Sequence, residues 1–123
     1  MAGEPIEGQV LLLTAAKASV AGSRLPDLVD LTQELLAGER DRYRREYERV
    51  YDGESFEAFL VDPGHWKTIG DELGFEGREL SAVRRAHEEQ LLRVGRRCDR
   101  ESEFETALEI REPVLVGTGD GGE

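Results

Sequence analysis

The order of apolar and polar residues follows the period of an α-helix along most of the chain. Ile6, Val10 and Leu13 are three or four residues apart, and this spacing predicts a first helix, nearly all buried, that ends near Gly22. A second helix is predicted to follow, and Gly38 either kinks it or divides it into two. Its buried side is predicted to carry Leu28, Leu31, Leu35, Leu36, Tyr43, Tyr47, Val50 and Tyr51.

Proline and glycine divide the rest of the chain. Asp62 and Pro63 are typical of a helix start and Gly74 of a helix end, so a helix that carries Trp66 is predicted between them. A further helix is predicted over about residues 78–94, where apolar residues again recur at helical spacing.

The remaining segments are less regular. Ser102 with Glu105 three residues later has the spacing of a capping box, which favours one or two further helical turns. Residues 56–61 fit a short helix and a short strand equally well, and the same choice stays open over residues 104–116. Within that second segment, residues 114–116 favour extended backbone because Pro113 ends any helix before them.

These patterns predict a mostly α fold. We expect a compact bundle of four to six helices, all-α or nearly so, with a helix-turn-helix-like pair and with or without a short C-terminal strand. A chain of 123 residues fits one domain. We place that domain at residues 1–116, and the glycine-rich composition of residues 117–123 predicts a disordered tail.

Charge adds information about the surface and the setting. Twenty-seven acidic against 16 basic residues give a net charge of −11, which ordinarily argues against binding to nucleic acid or an anionic membrane. Only two of the basic residues are lysines. In this composition and layout the chain resembles small uncharacterised proteins of halophilic archaea, a resemblance that implies an acidic surface suited to molar salt and no known activity.

The number of cysteines and the hydropathy of the chain indicate in which cellular compartment the protein works. Cys98 is the one cysteine, so no internal disulfide forms. The longest apolar run near the start is residues 10–13, which is far too short to span a bilayer. We therefore expect a cytoplasmic protein that does not engage membranes.

The stretch from Trp66 to Val83 has the most specific spacing in the chain. Gly70 is a small residue inside the first predicted helix, and Gly74 ends it. In these positions the stretch resembles the helix-turn-helix hairpin of DNA-binding proteins. The spacing Trp-x-x-Ile-Gly-x-x-Leu-Gly is also similar to one helical hairpin of the death-domain fold, a protein-interaction module. Because two families with different partners fit, the pattern predicts close helix packing before it predicts a function.

Arginines make the second half of that hairpin positively charged, which is a possible basis for contact with nucleic acid. Residues 78–100 contain seven arginines against four acids, a local excess of three positive charges. The candidate nucleic-acid contacts are Arg78, Arg84 and Arg85. Arg84 with Glu88 and Arg85 with Glu89 are each four residues apart, however, and this spacing favours ion pairs along a solvated helix.

Three tyrosines give a second candidate surface. Tyr43, Tyr47 and Tyr51 recur every four residues, which would align them on one face of a helix. Tyrosine is enriched at protein interfaces because its ring is apolar and its hydroxyl is polar. The alternative is that the three rings cover the second predicted hairpin from its polar side.

No pattern predicts catalysis. His65, His87 and Cys98 are scattered, without the spacing of a zinc site or the surroundings of a catalytic nucleophile. We expect no cofactor, no metal and no enzymatic activity, and we identify no small-molecule substrate. The leading hypothesis is a non-catalytic module that binds another protein or itself; the alternative is a small helix-turn-helix DNA-binding regulator.

Overall fold

A computed structural model of the chain describes residues 5–75 and 77–118, and these ranges contain six helices and three strands. The elements in chain order are α1 (Gly8–Ala18), α2 (Arg24–Ala37), α3 (Arg40–Glu46), β1 (Glu48–Asp52), β2 (Phe56–Val61), α4 (His65–Leu73), α5 (Gly77–Arg97), α6 (Glu101–Leu108) and β3 (Glu112–Gly117). The strands form one antiparallel sheet in the order β1-β2-β3. The fold is therefore α+β, and the predicted mostly α bundle is wrong.

The error arises after Gly38, where helical backbone is predicted as far as Tyr51. Gly38 divides the helix, since α2 ends at Ala37 and α3 begins two residues after the glycine. The chain then leaves helical geometry at Tyr47, whose φ of −124° and ψ of 159° are extended. Aromatic and β-branched residues after Tyr47 suit a strand once a partner strand is present, and β2 provides that partner.

Strand β2 is ambiguous in the sequence because the sheet is covered on both faces. All six of its residues, Phe56–Val61, are buried, so they read as one continuous run instead of alternating. One face packs in the main core with α1, α2 and α4, through Phe59, Val61, Val114 and Val116. The other face packs against α5 and α6, through Phe56, Ala58 and Leu115, which meet Leu91, Val94 and Phe104.

Helix α5 is the central element of the domain. It contacts α1, α2, α4, α6 and β3, and its buried residues extend from Ala82 to Gly95. The exposed residues of this helix are therefore few: Gly77, Arg78, Arg85, Arg96 and Arg97.

The α4–α5 hairpin has the predicted close crossing at Gly70. A Cβ atom at this position would lie 2.8 Å from the Leu80 side chain and 3.0 Å from the carbonyl oxygen of Phe75. Gly74 has a different role, because its φ of +77° ends α4 and turns the chain. Trp66, Ile69 and Val83 are buried as predicted, while Leu73 and Leu80 are partly buried.

The bounds of the two C-terminal elements, α6 and β3, differ in detail from those that the sequence predicts. Helix α6 begins at Glu101 after Arg100, and Arg100 makes no capping bond with its side chain, so the predicted capping box at Ser102 is not the helix start. The extended backbone expected at residues 114–116 is present as β3, which continues to Gly117, the first residue of the predicted tail. Residues 119–123 of that tail lie outside the described residues.

Candidate functional site

The outer edge of β3 is closed by side chains from neighbouring helices. The amide of Gln33 on α2 donates from Nε2 to the Leu115 carbonyl and accepts at Oε1 from the Gly117 N–H, each at 2.8 Å. Arg40 on α3 donates to the Gly117 carbonyl at 2.5 Å. Gln33 thus pairs with β3 as the backbone of a fourth strand would.

His87 and Trp66 close the rest of this edge. The Leu115 N–H donates to His87 Nδ1 at 2.9 Å, and Trp66 Nε1 donates to the Pro113 carbonyl at 2.8 Å. Burial lowers the pKa of His87 from 6.5 to about 3, so the imidazole is neutral and its proton is on Nε2. Nε2 has no hydrogen-bond partner among the described residues, and the ring packs edge-on against Trp66. His87 is therefore a structural residue.

Strand β1 forms the other edge of the sheet and is open. It is only five residues long, it is bulged between Arg49 and Tyr51, and Glu48, Arg49 and Asp52 are exposed charges. Shortness, bulges and charges are the features by which proteins prevent unwanted strand pairing. Neither edge of the sheet favours addition of a strand from a partner.

The three candidate tyrosines do not share a face. Tyr43 is buried, and its hydroxyl lies 2.5 Å from Nε2 of the half-buried His65. Burial raises the pKa of Tyr43 and lowers that of His65, so both groups are neutral near pH 7. Tyr47 packs against both rings at centroid distances of 4.9 and 5.3 Å, whereas Tyr51 lies on β1 against Phe56. Whether Tyr47 or Tyr51 contacts a partner stays a prediction.

The three candidate arginines are also in different settings. Arg78 and Arg85 are exposed and, seven residues apart, lie on one side of α5, where they form no ion pair with the described residues. Arg84 lies 3.7 Å from Glu88, as its spacing predicts, and lines a hollow of about 260 Å³ between α4 and α5. The expected pair of Arg85 with Glu89 does not form.

A buried carboxylate that sequence reasoning missed links α3 to the sheet. Glu57 on β2 is 1% exposed and accepts hydrogen bonds from Arg44 at 2.8 Å and from Arg49 at 2.6 Å. Burial acts to raise the pKa of Glu57, but the bonds from the two arginines outweigh it and hold that pKa below its usual value. The available signal was an acid inside an apolar run, which requires a cationic partner.

The most unusual surface is on α1. Leu12 is 66% exposed and Leu13 is 54% exposed, although the sequence predicts a nearly buried helix. We call the outward side of this helix the α1 surface; it consists of Gly8, Gln9, Leu12, Leu13 and Ala16, all exposed. The sixteen residues 8–23 contain one charge, Lys17, in a chain of which 35% is charged. That absence of acid was the signal available in the sequence.

Two further features of the described ranges concern membranes and metal ions. None of the helices in residues 5–75 and 77–118 is long and apolar enough to cross a membrane. Those ranges also contain no group of three side chains placed to hold a metal ion.

Comparison with known proteins assigns the chain to a family. No curated protein and no solved structure matches it. Residues 4–118, nearly the whole chain, match the family model described as "Domain of unknown function (DUF8048)", and the protein therefore belongs to that family.

Proposed function

We propose that this protein is a non-catalytic module that binds another protein, or a second copy of itself, through the α1 surface. The observation that carries the proposal is the pair of exposed leucines, Leu12 and Leu13. Single exposed apolar residues are ordinary on protein surfaces. Two adjacent ones on a helix surface without an acid are unusual in a chain of net charge −11.

Charge supports the same surface. Burying a leucine side chain fully contributes about 1.5–3 kcal/mol. Leu13 borders Glu89, Arg93 and Arg96 of α5, so a partner that covers it would also have to satisfy these charges. An acidic partner also approaches residues 8–23 without repulsion, because they contain no carboxylate.

DNA binding is the second candidate, and the exposed side of α5 that carries Arg78 and Arg85 favours it. Two observations weigh against it. Most of α5 is covered by other elements, which leaves little of it to enter a major groove, and Glu79 lies in its first turn. Because the composition resembles that of proteins from halophilic archaea, we infer that the protein works in the cytoplasm at high salt. Salt screens surface charge there, so the net charge of −11 is a weaker argument against a nucleic-acid partner.

Site-specific photo-crosslinking tests the interaction module. A photoreactive phenylalanine analogue replaces Leu12 in one variant and Ile110, an equally exposed apolar residue outside the α1 surface, in the control. In an extract of the cells that make the protein, we expect a discrete protein adduct from position 12 and none from position 110. Equal labelling from both positions, or no adduct from either, would contradict the proposal.

The DNA alternative has its own assay. If α5 contacts phosphates, Arg78→Ala and Arg85→Ala should each lower the slope of log affinity against log salt by about one unit. Arg45→Ala, at an exposed arginine on α3, is the matched control. Absence of any mobility shift at low salt would eliminate this alternative.

A further inference from the structure

We infer that the hollow between α4 and α5 binds a small phosphorylated molecule, whose phosphate group is held by Lys67 and Arg84. The hollow has a volume of about 260 Å³ and opens to solvent, and both cations line it. None of the described residues that line it is on α1, so this inference goes beyond the proposed function and does not depend on it.

The two cations have N–H groups that donate to no described residue. Ten of the fourteen arginines donate a hydrogen bond to a described residue, but Arg84 does not. Glu88, its ion-pair partner, lies 3.7 Å away, which is beyond hydrogen-bonding distance. Lys67 likewise donates none within the described ranges, and its ammonium lies 3.5 Å from the exposed Asp71. Both side chains therefore keep donors for an external acceptor.

Other unpaired arginines lie close by. Of the four arginines that donate no hydrogen bond to a described residue, Arg78, Arg84 and Arg85 are all on the first half of α5, and Arg45 is on α3. Positive charge is therefore concentrated beside the hollow, in a chain whose net charge is −11. Such a local field attracts a small anion that the rest of the surface repels.

The carboxylates near the hollow are already bound. Glu112 lines it and accepts hydrogen bonds from the N–H groups of Gly64 at 3.1 Å and Trp66 at 2.9 Å, so the start of α4 offsets much of its charge. Glu79 in the first turn of α5 is bonded to Arg24 on α2 at 3.0 Å and does not line the hollow. An anion in the hollow therefore meets little repulsion.

A phosphate monoester is the anion that suits this pair of cations best. It carries a charge of about −1.5 to −2 at pH 7 and has three strong acceptor oxygens, enough for a guanidinium and an ammonium together. A carboxylate or the diester phosphate of DNA carries a single charge and satisfies only one of the two cations. Leu80 and Trp66 add an apolar wall and Ser81 a hydroxyl, and the volume exceeds that of phosphate alone. The organic part of the molecule therefore also has a place.

Nuclear magnetic resonance of the ¹⁵N-labelled full chain tests this inference, with phenyl phosphate as the probe. We expect the amide signals of Lys67 and Ser81 to shift with a dissociation constant of about 0.1–1 mM, which is typical of a small ligand held by one charged group. At the same ionic strength, inorganic phosphate lacks the ring and benzoate lacks the second charge, so each should bind at least about fivefold more weakly.

Three variants and a matched control test the residues. Arg84→Gln and Lys67→Gln should each weaken binding of phenyl phosphate at least about tenfold, because each removes a charge-assisted hydrogen bond. Ser81→Phe keeps both cations but fills the hollow, so it should weaken binding as much. Arg45→Gln, at an arginine that also donates no hydrogen bond to a described residue, should leave the dissociation constant unchanged. Circular dichroism and thermal melting verify that each variant folds, and Lys67 is exposed, so its replacement leaves the core intact.

The outcomes distinguish this site from the other proposals. No shift of these signals up to about 10 mM phenyl phosphate, or equal losses in Arg45→Gln and Arg84→Gln, would overturn the inference. A DNA duplex that shifts the same signals where phenyl phosphate does not would assign the cations to the DNA alternative and also overturn it. Crosslinking from position 12 reports on α1 alone, so either result there leaves this inference to its own test.

Discussion

Replacing Gln33 by leucine removes the side-chain amide that pairs with the outer edge of β3. Gln33 donates to the Leu115 carbonyl and accepts from the Gly117 N–H, each at 2.8 Å, so a single substitution breaks two hydrogen bonds of the strand. Leucine occupies a similar volume, which keeps the loss of packing small.

The expected cost follows from the burial of the two strand groups. Leu115 is fully buried, so its carbonyl oxygen would lose a partner that water cannot replace, at about 1–3 kcal/mol. Gly117 is only partly buried, so water replaces part of its lost bond, and about 0.5–1 kcal/mol is expected there. The free energy of unfolding should fall by about 1.5–4 kcal/mol, which lowers Tm by roughly 5–20 °C in a domain of this size.

Urea unfolding monitored by the fluorescence of Trp66 measures this change. Glu34→Leu is the matched control, because it places the same residue on the exposed side of the same helix. Gln33→Glu keeps the acceptor for the Gly117 N–H but sets a carboxylate against the Leu115 carbonyl, so it should destabilise as well. A Gln33→Leu protein within about 0.5 kcal/mol of the wild type would refute the view that this side chain secures the strand.

Three further predictions concern pH, packing and salt. Because burial lowers the pKa of His87 from 6.5 to about 3, the unfolded chain takes up a proton that the folded chain does not. Stability should therefore fall as the pH decreases below that ordinary value, by up to about 1.4 kcal/mol per pH unit. Urea unfolding in a His65→Gln background measures this, and a flat profile would contradict a neutral, buried His87. Gly70→Ala should cost about 1–3 kcal/mol, because its Cβ would lie 2.8 Å from Leu80, whereas Gly8→Ala should not destabilise; equal effects in chemical denaturation would refute the close crossing. With a net charge of −11, Tm should rise steeply from low to molar salt in calorimetry, and a flat or falling curve would count against the salt-loving setting.

Local signals in the sequence predicted the elements that depend on local physics. Gly74 ends α4 through a left-handed conformation that glycine adopts without strain, and Gly70 marks the crossing of α4 and α5. Gly38 divides the second helix, one of the two outcomes that its position left open. In each case the residue responsible lies inside or next to the element that it determines.

The parts that were not predicted depend on distant partners. Residues 56–61 are buried on both sides, so no alternation distinguishes a strand from a helix until the partner strands are known. Tyr47 and Tyr51 have helical spacing, yet pairing with β2 draws residues 48–52 into the sheet. Gln33 and Leu115 are 82 residues apart, a separation over which no sequence pattern indicates a contact. The α1 surface was missed because apolar spacing does not reveal which side of a helix the domain covers.

The closed edge of β3 has a consequence for the order in which the chain folds. The side chains that hold the strand lie 28 to 84 residues away along the sequence, so the strand is secured only after α2, α4 and α5 have packed. Contacts of such long range form slowly, because chain closure must precede them. Until these helices have packed, the edge of the sheet is unpaired. During that interval the chain is most exposed to pairing between molecules, and refolding yield should fall as protein concentration rises.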